Sequence, residues 1–242
     1  MSAGQRPAFY ALASGGWRDY VTLLHPPYTL WHLSYVAIGA ALAPELPLER
    51  LLWGLAAFAL ALGVGAHALD ELNGRPLRTA IPDRVLIALA LVSTGAATAI
   101  GVGAALAWTL WLLPFVAFGA FLVFAYSLEL FQGRINSDLW FALGWGSFPV
   151  LTGYVGAAET IRPEALLAAV FAACLSLAQR HLSTQVRTVR RRAAAVSGTI
   201  SYGDGPENPI TRETLTRAPE AALQALTFAV VALAAALLAL RH

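Results

Sequence analysis

Three side chains with the means to do chemistry stand together at His67, Asp70 and Glu71. Their spacing of i, i+3 and i+4 puts them on one face of a helix. Two carboxylates and an imidazole at a helix end could hold Mg²⁺, which takes oxygen ligands and substrate phosphates. The pair Asn73 and Gly74 ends the helix, and Arg75 and Arg78 follow at once. A cation beside paired guanidinium groups suits a diphosphate, because metal and arginine share the leaving group's charge. Asn73, Arg75 and Arg78 are therefore candidate substrate contacts. An ordinary helix end, with Asp70 and Glu71 paired to Arg75 and Arg78, explains the same spacing equally well.

Two further groups carry the required charge. Arg180, His181 and Arg187 begin a basic stretch that continues through Arg190, Arg191 and Arg192. Such a stretch suits anionic headgroups at a membrane surface, and its fixed cations could equally hold an anionic substrate without a second metal. Tyr126, Glu129, Arg134, Asn136 and Asp138 form a polar loop. Glu129 and Asp138 read as a salt-bridged turn, and Tyr126 and Arg134 as site candidates. His32 lies alone in an apolar run, where it could face His67.

The elements that must position these groups are membrane helices. Of 242 residues, 58% are hydrophobic and 12% charged, against about 25% charged in soluble domains. The mean hydropathy is +0.63. A net charge of +2 is too small to suggest a nucleic-acid partner, and none is expected. The one cysteine, Cys174, rules out an internal disulfide framework and reads as a small core residue. Apolar runs cover 28–42, 51–69, 85–106, 108–128, 139–158, 165–178 and 221–240. The fold class expected is an all-α polytopic membrane helix bundle with about seven transmembrane helices. The first run reaches spanning length only if His32 and Ser34 are buried in the bundle. Residues 1–27 read as a tail plus an interfacial segment without a cleavable signal. Residues 28–242 read as one transmembrane domain with a polar segment at 179–220. Arginines concentrate in alternate loops, which places the N-terminus and the polar cluster in the cytoplasm. A cell inner (plasma) membrane is the expected location.

The order of Asp70, then Gly74, Arg75, Pro76 and Leu77, then a loop and a new apolar helix, resembles the first motif region of the UbiA superfamily of intramembrane prenyltransferases. His25 to Leu30 is similar to that family's Arg-Pro-rich approach to its first helix, and Tyr126-Ser127 to the Tyr-Ser closing its fourth. The resemblance covers roughly residues 18–200. It departs from the family where Ala66 and His67 replace an Asn-Asp pair, where Gly74 replaces an aspartate, and where Gln179 to Arg187 holds none of the second motif's aspartates. The resemblance implies transfer of a prenyl group from a polyprenyl diphosphate to an acceptor, with Asp70 and Glu71 catalytic and with His67, Asp70 and Glu71 around Mg²⁺. The alternative is a non-catalytic UbiA-like protein that binds a lipid or quinone or scaffolds a protein partner.

Overall fold

Apolar runs of this length have no water to satisfy their backbone, so each must close its hydrogen bonds internally as a helix. A computed structural model, describing residues 6–203 and 205–241, has this all-helical form. The first five residues of the expected tail, Asp204 in the polar segment and His242 lie outside the described residues. The helices are α1 (Trp17–Leu23), α2 (Pro26–Leu42), α3 (Leu48–Leu72), α4 (Asp83–Ala107), α5 (Leu112–Ser127), α6 (138–158), α7 (Pro163–Arg192) and α8 (Arg212–Ala239). A two-residue hairpin, Thr199–Ile200 against Asn208–Pro209, lies between α7 and α8.

Four of these, α3, α4, α7 and α8, are long and apolar enough to cross a membrane. The chain is therefore an integral membrane protein. The expected first, fourth and fifth runs are also helical. However, α2 has 17 residues and α5 has 16, so at about 1.5 Å per residue both fall short of a full apolar thickness. His32 and Ser34 are buried within the bundle. The fourth run starts later than its apolar stretch implies, because Trp108 to Trp111 form the turn after α4 and helix resumes at Leu112. Cys174, expected in the core, is exposed on α7. In a membrane an outward apolar face meets lipid, so hydrophobicity alone does not identify a core position.

Two contacts set the architecture. Helices α2 and α6 cross at Gly39 and Gly153. A Cβ on Gly39 would run into the Val150 carbonyl, and one on Gly153 into the Val36 carbonyl. The backbones are in direct contact, as small residues permit in membrane bundles. Tyr35 anchors α2 to α7, donating its hydroxyl to the Ala172 carbonyl at 3.2 Å and accepting from Ser176 at 3.3 Å.

The two ends of the bundle are polar in different ways. At one end Arg50 bonds the Gly156 carbonyl and Glu159 at 3.2 and 2.7 Å, and Arg241 caps α2 through the Ala41 and Ala43 carbonyls at 2.8 and 2.6 Å. At the other end gather residues 6–25, the loop 73–82, the loop 128–137 and the C-terminal half of α7.

Candidate functional site

The polar end of the bundle surrounds a cavity of about 580 Å³. Helix α3 reaches it through a π-helical turn over Ala59–Ala66, a widening that recurs at functional sites. His67, Asp70 and Asn73 project from the turns that follow. Helix α7 supplies Gln179, Arg180, Ser183, Arg187 and Arg191. Gln179, Ser183, Arg187 and Arg191 repeat every four residues and so form one stripe. The opposite wall carries His25, Tyr28 and His32, and the end of α5 adds Tyr126 and Ser127.

Six of the candidates read from the sequence therefore line one cavity: His67, Asp70, Asn73, Tyr126, Arg180 and Arg187. They do not play equal parts. Arg180 is engaged on all sides. It donates to Asp138 at 2.7 Å, to the Tyr126 hydroxyl at 2.5 Å and to Asn136 at 3.2 Å, and it stacks on Phe141 at 5.0 Å. It ties α7 to the loop 128–137. In the same loop Glu129 accepts from Asn136 at 3.2 Å, so this segment is a hydrogen-bonded turn. Arg187 makes one bond, to Thr184 at 3.0 Å, and Arg191 one, to the Pro7 carbonyl at 3.2 Å. Among the described residues no ion pair engages the Asp70 carboxylate, and the Ser127 hydroxyl lies beside it.

Five candidates lie outside the cavity lining, each for a physical reason. Glu71, expected beside Asp70 as a ligand, is fully buried behind it. Its carboxylate accepts from the backbone N–H of Leu77 at 2.9 Å, from that of Thr79 at 2.8 Å and from the Thr79 hydroxyl at 2.9 Å. It holds the loop after α3 in place. Arg75 is turned into that loop, donating to the Ile81 carbonyl at 2.6 Å and pairing with Asp83. Arg78 and Arg134 are exposed on their loops, and His181 is exposed on the side of α7 away from the stripe.

His67 faces His25, and not His32 alone. The His25 and His67 rings stack at 4.1 Å with 15° between planes. His25 sits in the left-handed region (φ 46°, ψ 57°) as the residue before α2, a strained conformation for a side-chain-bearing residue. Its Nδ1 pairs with the Tyr10 hydroxyl at 2.8 Å, while Nε2 is buried without a partner. Burial above all, then His67, Arg191 and Arg187, holds the His25 imidazole well below the ordinary histidine range, so the ring is neutral at pH 7. Burial likewise raises the Tyr10 hydroxyl.

The donor set fits an anion better than a metal. Asp70 is the one carboxylate that is free in the cavity, and it faces Arg187, Arg191 and Arg192 across it. Among the described residues no group of three His, Cys, Asp or Glu is placed to hold a metal ion. The Mg²⁺ site implied by the family resemblance is not matched by these residues, since Glu71 is spent on the loop backbone.

A second, apolar crevice of about 120 Å³ runs through the bundle among α2, α3, α4, α5 and α6. Phe58, Phe115, Val116 and Phe148 line it. Leu62 and Trp145 line both the crevice and the polar cavity, so the two spaces are adjacent there. At its far end are Arg50, Trp53 and Trp108, with the Arg50 guanidinium 5.2 Å over the Trp108 ring.

Sequence reasoning leaves out Gln179, Ser183 and Tyr10. The four-residue stripe on α7 is a signal that could have found the first two. Tyr10 gives none, because its position follows from how the N-terminal segment folds back. No family model, curated protein or solved structure matches the chain.

Proposed function

We propose that the chain is a UbiA-like intramembrane prenyltransferase of seven membrane crossings, set in the cell's inner membrane with its cavity facing the cytoplasm. Arginine placement supports that orientation. The observation that carries the reading is that an arginine-walled cavity and an apolar crevice lie side by side, with Leu62 and Trp145 lining both. A lipid with an anionic head and an apolar tail is the ligand such a shape accommodates, and a polyprenyl diphosphate has both parts.

In this reading Arg187 and Arg191 hold the diphosphate, with Tyr126 and the anchored Arg180 beside them. An acceptor nucleophile bonds to C1 of the prenyl chain, the C1–O bond breaks, and the diphosphate leaves with the bonding electrons. Fixed guanidinium groups stabilise that charge. Asp70, uncommitted and beside the reaction centre, takes the acceptor's proton. The aromatic and apolar walls keep water from the allylic cation. No step is assigned to Mg²⁺. From Leu62 to Arg50 the crevice follows α3 for about 18 Å. With carbon–carbon bonds near 1.5 Å an extended isoprene repeat spans about 5 Å, so the crevice has the length of three or four units, and at about 120 Å³ its walls must part to admit them.

A second reading has one observation in its favour. With Glu71 withdrawn and Glu129 bonded to Asn136, Asp70 is left without a second free carboxylate among the described residues of the cavity, which suits a protein that binds a prenyl lipid or quinone without turning it over. The test is to incubate detergent-purified protein with labelled geranyl, farnesyl and geranylgeranyl diphosphates, with Mg²⁺ or with EDTA. The enzyme reading expects diphosphate release that persists in EDTA and is lost in Asp70→Asn. Binding without release supports the second reading, and neither binding nor release overturns both.

A further inference from the structure

The N-terminal segment before α1 packs over the mouth of the cavity as a strap. Pro7, Ala8, Phe9 and Tyr10 form part of the cavity wall, although they are some sixty residues from Asp70 in sequence. Their attachments are few and specific. Arg191 donates to the Pro7 carbonyl at 3.2 Å, the Tyr10 hydroxyl pairs with His25 at 2.8 Å, and the Leu12 amide donates to the Thr22 hydroxyl at 3.0 Å. Ala11 is 1% exposed, so the strap is seated and not merely nearby.

The segment that follows is built differently. Gly15 and Gly16 both have positive φ, at 118° and 61°, and Ala13 and Ser14 just before them are exposed. Beyond them α1 is fixed, because the buried Asp19 carboxylate accepts from the Gly15 amide at 3.0 Å and from the Ala80 amide at 2.9 Å. A fixed helix with Gly15 anchored to it, the exposed Ala13–Ser14 link before it and a strap held by three hydrogen bonds make a hinge with a short lever. Two of the strap's partners, Arg191 and His25, are cavity groups. The strap therefore closes over groups that a bound head would also touch, and the 580 Å³ beneath it leaves room for that head.

We propose that the strap of residues 7–12 is a lid, hinged at the exposed Ala13–Ser14 link before the anchored Gly15, that closes the cavity toward the cytoplasm. Tyr10 is its latch and positions His25. The inference rests on the cavity being the head-group site, and it assigns regulation of access to that site. A lid of this kind keeps water off the reacting carbon while the lipid tail enters from the bilayer side.

Thiol accessibility tests it in the full chain. Cys174 is first replaced by serine, and Ser183→Cys is introduced as a reporter on the cavity stripe, where Ser183 is 6% exposed. A membrane-impermeant anionic methanethiosulfonate then labels the reporter. The lid predicts slow labelling with the latch intact and labelling about tenfold faster in Tyr10→Ala, with Tyr10→Phe between them, since one buried hydrogen bond corresponds to at most about tenfold in an opening equilibrium. An unchanged thermal unfolding midpoint of the Tyr10→Ala protein shows that the fold is intact. Equal reporter rates in all three latch states overturn the lid. Inorganic pyrophosphate should protect the reporter. If it does not, while the latch effect stands, the head-group reading fails and the lid survives.

Discussion

Glu71 is where the sequence and the structure assign different work to one side chain, and the two assignments predict opposite results. Its carboxylate accepts three hydrogen bonds, two of them from backbone amides of Leu77 and Thr79, and those residues are 4% and 8% exposed. Glu71→Ala removes the acceptor and leaves both amides without water. At about 1–3 kcal/mol for each unsatisfied buried donor, the loss is about 2–6 kcal/mol. Glu71→Gln keeps an oxygen toward Thr79 but turns an NH₂ toward the Leu77 amide, so about half of that is expected. For a chain of this size each kcal/mol moves the unfolding midpoint by about 2–4 °C. Glu71→Ala should therefore unfold roughly 10 °C below wild type, with Glu71→Gln between them, in thermal scans of detergent-purified protein. Pyrophosphate affinity in the Gln variant should stay within about threefold of wild type. A Glu71→Gln protein that melts with wild type yet loses Mg²⁺-dependent diphosphate binding would show that Glu71 is a ligand and refute the loop-clamp account.

Other outcomes follow from the packing. Gly153→Ala places a methyl group against the Val36 carbonyl and should cost at least about 1–3 kcal/mol by overpacking, read as a lowered midpoint. Arg190 and Glu220 form a bidentate pair at 2.5 and 2.8 Å, with side chains 14% and 12% exposed. Arg190→Ala alone should cost about 3–5 kcal/mol because it strands the partner's charge, while a paired Arg190→Met and Glu220→Leu change should recover most of it. Trp108→Ala opens the far end of the crevice. Competition binding should then show longer prenyl diphosphates gaining on geranylgeranyl diphosphate by about tenfold, and an unchanged preference would mean that the tail does not reach Arg50 and Trp108.

Much of the helical framework was legible because lipid leaves the backbone no alternative. The seven apolar runs correspond to seven helices, although four have the length and hydropathy to cross a membrane unaided. Gathering the arginine-rich segments at one end was legible from their alternation. The division of labour within the site was not. His67, Asp70 and Glu71 share a helix face by spacing, yet the chain turns back after Gly74 so that the Leu77 and Thr79 amides meet Glu71 and leave Asp70 in the cavity. That choice depends on loop geometry, including left-handed backbone at Arg75 and Arg78, which no periodicity reports. Nor does any local pattern show that Tyr10 returns to His25, or that His25 and not His32 stacks on His67. Arg180 and Arg187 share a helix face at a spacing of seven residues, and only position along the axis, beside Asn136 and Asp138, separates the anchored Arg180 from the less committed Arg187.

The central claim is that one amphipathic ligand places its head in the arginine-walled cavity and its tail in the apolar crevice. Photo-crosslinking tests this most directly, using a geranylgeranyl diphosphate analogue with a diazirine at the end of its tail and mapping the modified peptides. The account predicts adducts on the crevice-lining parts of α4 and α5, around Trp108, Phe115 and Val116, that inorganic pyrophosphate suppresses and that Arg187→Ala combined with Arg191→Ala weakens about tenfold or more. Adducts confined to outward residues such as Val92, Leu167 and Phe228, indifferent to pyrophosphate and to the arginines, would contradict it.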